Sequence, residues 1–85
     1  MELHQVRAFV TVARVGNVTK AADVLCVTQP AVTAQIKAFE SSLGVALFDR
    51  GGGRMTLTRM GERLLHQAGA LLVAAAELKG VGLGM

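Results

Sequence analysis

From Leu3 the apolar positions fall at Val6, Phe9, Val10 and Ala13, the three-and-four spacing of an amphipathic helix with one buried stripe. Gly16 is placed to end it, because a left-handed residue just past a helix costs glycine little. Asn17 can cap a second, short helix whose Ala21, Ala22 and Leu25 present a narrow face suited to close approach of another helix. Cys26 and Val27 make a turn, and Thr28 opens a third helix. Its hydroxyl can accept from the Ala31 amide, and Pro30 sits in the first turn, where a missing N–H is harmless. Val27 and Val32 are spaced to staple that cap.

At about 100° per residue, Val32, Ile36, Phe39 and Leu43 cluster on one side of this third helix. Pro30, Thr33, Ala34, Lys37 and Ser41 gather on the other. One face is core and the other is open to a ligand, and Gly44 supplies the stop. The run Val45 to Arg50 and the run Arg54 to Thr58 flank Gly51-Gly52-Gly53, which predicts two short strands joined by a glycine turn. Thr58 then caps a last helix in which Gly61, Leu64, Ala68, Leu71, Ala75 and Leu78 recur at alternating three- and four-residue steps. That is a heptad seam, with Leu65 and Leu72 beside it.

The pattern predicts a mainly α chain: a winged helix-turn-helix over residues 1–58, with the helix-turn-helix at 18–37 and the wing at 48–58. A long linker and dimerisation helix over 59–79 and a glycine-rich tail over 80–85 follow. Eighty-five residues make about one small domain. With three Phe and no Trp or Tyr, its core must come from Val, Leu, Ala and Met.

Nine Lys and Arg against six acids leave a net charge of +3, whose meaning depends on where it sits. Cys26 is the single thiol, so no internal disulfide can form, and with His4 and His66 it offers too few ligands for a four-ligand zinc site. Acid, His and Arg among the first residues are wrong for a secretory signal, and no apolar run reaches membrane-spanning length. The expectation is a cytoplasmic protein, read here as the first domain of a longer one.

A tight turn between two short helices, the second with a polar outward face and a strong cap, is what a duplex reader needs. Side chains near the N-terminus of such a helix meet base edges in the major groove. Gln29 can bond adenine through N6 and N7, and Thr33 can offer a hydroxyl or touch a thymine methyl. Pro30 and Ala34 keep the approach close, and Lys37 is placed to neutralise phosphate. Lys20 can meet the backbone together with the positive end of the second helix. The glycine turn resembles a wing carrying Arg50 and Arg54, the latter suited to a narrow minor groove.

These residues resemble the N-terminal domain of LysR-type transcriptional regulators. The matching segments are Phe9 to Ala13, Thr19 to Ala22, Thr28 to Thr33, Gln35-Ile36, Leu43 to Arg50 and Leu57-Thr58, in order over nearly the whole chain. The resemblance implies a winged helix-turn-helix acting on double-stranded DNA, a homodimer through the last helix and, in whole regulators, commonly a tetramer. It implies no cofactor in this segment; a small-molecule effector belongs to a C-terminal domain. Base-reading positions carry over to Gln29, Pro30, Thr33 and Ala34, and the wing contact to Arg54. Thr28 and Ala31 complete the expected DNA-facing set with Lys20, Lys37 and Arg50, while Leu64, Leu65, Ala68, Leu71, Leu72, Ala75 and Leu78 form the expected dimer interface. The chain departs from the pattern at Thr28 and Thr33, where Ser is common, at Gly53, where a basic residue is common, and at Arg59-Met60, which replaces Pro-Ala.

Other readings weigh less. The glycine run lacks the Gly-Lys-Ser/Thr ending and preceding strand of a phosphate loop. His4 reads as a surface residue and His66 as a packing or hydrogen-bonding one. Cys26 reads as a small apolar filler at the turn, with a redox-sensing thiol as its alternative. No acid, base and nucleophile set suggests an enzyme. The rival function is a winged helix that binds protein, in which Lys20, Lys37 and Arg54 contribute little and duplex affinity ignores salt.

Overall fold

The computed structural model describes residues 1–51 and 55–84, with side chains described as far as Gly80. Among these, the order is α1 (Leu3–Val15), α2 (Val18–Leu25), α3 (Gln29–Leu43), β1 (Phe48–Asp49), β2 (Thr56–Leu57) and α4 (Arg59–Gly84). The strands pair antiparallel, with Phe48 opposite Leu57 and Asp49 opposite Thr56.

Local chemistry sets the helix ends. Gly16 adopts φ 88° and donates its N–H to the Val12 carbonyl at 2.9 Å, closing α1. Asn17 then starts α2 by accepting the Lys20 N–H at 2.6 Å, and Thr28 starts α3 by accepting the Ala31 N–H at 3.2 Å. Gly44, at φ 74°, ends α3. Cys26 takes the left-handed conformation at φ 57°, the C-cap of α2, and is exposed. It stands in the turn as expected from the sequence, but exposed rather than as an apolar filler.

The core lies where α1, α2 and α3 meet and is closed by the wing and α4. Phe9 sits at its centre, fully buried, with its ring 5.6 Å from both Phe39 of α3 and Phe48 of β1. Edge and tilted packing of such rings adds about 1 kcal/mol per pair beyond burial. Ala21 and Ala22 are the small residues that let α2 come close to α1 and α3. Leu43, expected in this core, lies instead at its exposed rim.

Entry into α4 is organised around Thr58, whose Oγ1 donates to the Ala46 carbonyl at 2.7 Å and accepts the Gly61 N–H at 3.0 Å. Gly61 lies against the Leu47 backbone, so close that a β-carbon there would overlap the Leu47 carbonyl oxygen. Glycine here serves packing, a reason the heptad pattern alone does not reveal. α4 runs on to Gly84, past the boundary expected at Lys79. Glycine in a helix costs about 1 kcal/mol relative to alanine but stops it only when the backbone turns left-handed, as at Gly16 and Gly44.

The 26 residues of α4 span about 39 Å, and the described body measures 49 × 25 × 19 Å. No helix of the described residues is long and apolar enough to cross a membrane. Among the same residues, no group of three or more His, Cys, Asp or Glu is placed to hold a metal ion.

Candidate nucleic-acid interface

The cap at Thr28 fixes where α3 begins, and the buried stripe of Val32, Ile36 and Phe39 fixes its rotation about its own axis. Opposite that stripe, Gln29, Pro30, Thr33, Ala34 and Lys37 line one continuous shallow depression at the N-terminal half of the helix. Thr33 is shared with a second concavity, bounded by Gly16 to Thr19 at the start of α2 and by Arg50, Met55 and Thr56 of the wing. The two together form a concave strip from the α2 N-terminus across α3 to the wing. Lys20 is exposed one turn into α2.

Five of the residues expected to face DNA share the α3 depression, but Ala31 does not. It lies about 200° around the helix from Thr33, in a depression with His4, Arg7, Leu25, Val27 and Val32 on the α1 side. Its part is to supply the N–H that Thr28 accepts. Thr28 is exposed at the N-cap, with its oxygen engaged in that bond. Arg54, the expected wing contact, lies outside the described residues. Thr19 and Thr56 also belong to the concave strip, as does Asn17, which the sequence marks only as a helix cap.

Arg50, expected to face DNA, is also paired within its own chain: Nη2 of its guanidinium donates to Glu40 Oε1 at 2.9 Å. The other carboxylate oxygen, Oε2, accepts the backbone N–H groups of Leu47 at 2.7 Å and Phe48 at 3.3 Å. Burial alone would raise the Glu40 pKa, but the Leu47 amide, the Arg50 hydrogen bond, the Phe48 amide and the Arg50 charge outweigh it. They hold the carboxyl below its ordinary range. Glu40 was invisible as a functional candidate, yet the sequence carried a signal. At about 100° per residue it falls at the border between the core stripe and the polar face, about 40° past Ile36 and about 20° short of Thr33, and a half-buried acid at such a border needs partners.

The expected dimer seam divides into two faces. Ala68 is 7% exposed and belongs to the core of its own chain, with Leu64, Leu65 and Leu72 packed against it. Gly61 lies on that inward side too. Leu71 is 42% and Leu78 74% exposed, and with Met60 they form the outward stripe, which half-buried Leu64 and Ala75 border. An apolar groove floored by Val6, Phe39 and Ala68 and edged by Leu43, Leu64 and Leu71 runs beside it. His4 and His66 are both exposed, which leaves His66 the hydrogen-bonding alternative rather than the packing one of the two expected for it.

The sequence matches the family described as bacterial regulatory helix-turn-helix protein, lysR family, over residues 3–62. The chain belongs to the LysR family. It is 50% identical over 72 residues to the HTH-type transcriptional regulator CfxR of Cupriavidus necator, covering 85% of this chain and 23% of that protein. The fold is similar to the BenM DNA-binding domain in a crystal structure with catB site 1 DNA, with a TM-score of 0.90 and 35% identity, covering 96% of this chain and 92% of that one. It is also similar to a full-length OxyR variant from Pseudomonas aeruginosa, with a TM-score of 0.95 and 31% identity, covering 99% of this chain and 28% of that one. The chain thus spans about a quarter of the length of the curated relatives it matches. The curated relatives it matches here are transcriptional regulators.

Proposed function

We propose that this LysR-family domain binds double-stranded DNA sequence-specifically, with the outward face of α3 in the major groove and the wing against the flanking minor groove. Gln29 and Thr33 read base edges, Pro30 and Ala34 permit close approach, and Lys20 and Lys37 neutralise phosphate. The observation that carries this reading is the gathering of Gln29, Pro30, Thr33, Ala34 and Lys37 on one exposed face just behind the Thr28 cap. A DNA complex of the similar BenM domain supports it.

Two copies associate through the outward stripe of α4, which supports a symmetric homodimer on a palindromic site; the full-length regulator then commonly forms tetramers. An apolar stripe left on so small a body is the kind of surface a partner covers. Half-sites then lie about one helical turn, roughly 34–36 Å, or a multiple of it apart. The domain acts in the cytoplasm and needs no cofactor within these residues; response to a small-molecule effector belongs to the regulator beyond them.

Selection of duplexes from a random pool at fixed salt tests the proposal. Enrichment of a palindrome with that spacing, bound with log affinity falling linearly in log salt, is the expected result. No enrichment, with weak binding indifferent to salt, would favour a protein-binding winged helix instead.

A further inference from the structure

A sheet of two-residue strands cannot fix its own orientation, since even a full isolated hairpin is marginal in water. Thr58 and Gly61 hold this one from the α4 side, and what holds it to α3 is concentrated on a single residue of that helix. The Glu40 carbonyl accepts the N–H groups of Gly44 at 2.8 Å and Val45 at 3.2 Å. Its carboxylate accepts those of Leu47 and Phe48 and the Arg50 guanidinium. The whole passage from the end of α3 into β1 is thus wrapped around Glu40. The same helix carries Gln29 and Thr33 at its other end, so the position of the wing is referred to the base-reading face through a rigid rod of about three turns.

The pair is also asymmetric. The Glu40 side chain is 13% exposed and that of Arg50 41%. Only Nη2 of Arg50 is engaged by the acid, which leaves most of the fork's N–H donors for a second oxyanion. Arg50 lines the concavity that Asn17, Thr19 and Thr33 close from the other side and Thr56 shares. A carboxylate that orients a guanidinium while leaving it half-open prepares it for bidentate contact with phosphate.

We propose that Glu40 is a positioning residue for DNA contact: it fixes β1 and the Arg50 guanidinium against α3 so that Arg50 holds one backbone phosphate in the concavity opposite the α2 N-terminus. The inference rests on the DNA-binding reading above, assigns a backbone phosphate to the Arg50 contact expected from the sequence, and adds the residue that aims it. Nearby Asp49 also contributes to the turn, accepting the Gly51 N–H at 3.1 Å. It takes no part in the Arg50 pair.

Ethylation interference on a selected duplex tests this, because each phosphate contact reads out separately. Wild type, Glu40→Gln, Arg50→Gln and the double variant are compared, with methylation interference reporting major-groove contact and thermal midpoints reporting folding. Wild type should show interference at a phosphate that both single variants lose. Affinity should fall about tenfold in each, the size of one charge-assisted contact, and little further in the double variant. The methylation pattern should stay as in wild type.

An unchanged ethylation pattern in Arg50→Gln overturns the proposal. So does a uniform weakening of every contact in Glu40→Gln that tracks its thermal midpoint. If Glu40→Gln does not fold, Arg50→Gln decides alone, since it leaves the four backbone bonds to Glu40 in place. Wild type that binds no duplex in a salt-dependent way sinks the DNA reading itself, a result distinct from both.

Discussion

Replacing Gly61 by alanine sets a general helix gain against one particular contact. In an open helical position the change stabilises by up to about 1 kcal/mol. At Gly61 the new methyl would overlap the Leu47 carbonyl oxygen and lie 2.9 Å from Leu57 Cδ2 and 3.1 Å from the Leu47 carbonyl carbon. The Leu57 side chain can move aside. The Leu47 peptide cannot, because its oxygen accepts the Thr58 N–H at 3.0 Å and its N–H is held by Glu40 at 2.7 Å.

Overpacking of this kind costs about 1–3 kcal/mol, and stretching the Thr58 bond adds about 1 kcal/mol. Net of the helix gain, Gly61→Ala should destabilise by about 1–3 kcal/mol, or very roughly 5–20 °C in thermal midpoint for a domain this size. Two internal controls share the helix. Gly80→Ala meets nothing within 4 Å and should stabilise, and Gly69→Ala meets only the movable Arg14 Nη2 at 3.3 Å and should be near neutral. Urea and thermal unfolding of the three variants at one protein concentration provide the assay, since midpoints of dimers depend on concentration. A Gly61→Ala midpoint equal to or above wild type would refute the packing assigned to the α4 entry.

Lys37→Ala should weaken selected and shuffled duplexes alike and reduce the slope of log affinity against log salt by about 1; a loss confined to the selected duplex would make Lys37 a base reader. Leu78→Glu, at the most exposed leucine of the α4 stripe, should leave the monomer fold within about 0.5 kcal/mol yet shift sedimentation from dimer to monomer, as should Leu71→Glu. An unchanged dimer in both would move the interface elsewhere. Because its partners hold the Glu40 carboxyl below its ordinary range in the folded state, the stability they provide is present above that range and disappears as pH falls through it to the lowered value. The thermal midpoints of wild type and Glu40→Gln should therefore converge in acid, and a gap that is constant with pH would contradict this.

What the sequence made legible was mostly local. Asn17, Thr28, Gly16 and Gly44 act within one turn of their own helix ends, so their cap chemistry could be read from neighbours alone. The face of α3 follows from rotation, and the same arithmetic sets Ala31, included in the DNA-facing set through the family resemblance, about 200° from Thr33. The failures elsewhere come from contacts whose partners lie far along the chain. Glu40 reaches Arg50 ten residues on, through a turn whose path no periodicity specifies. A heptad of Ala and Leu reports that a stripe is buried without saying by what, so Ala68 was assigned to a partner chain although its own core covers it. Cys26 shows the limit of residue type, for an apolar thiol stands at a left-handed turn that composition alone would give to glycine or asparagine.

The central claim is that the exposed face of α3 meets base edges, and Gln29 tests it most directly. Affinities of wild type and Gln29→Ala are measured at one salt concentration on the selected duplex and on a shuffled duplex of equal length. Gln29→Ala should lose about 1–3 kcal/mol on the selected duplex and almost nothing on the shuffled one, collapsing their ratio. Equal losses on both would contradict the account, because a side chain that touches only the backbone cannot tell the two sequences apart.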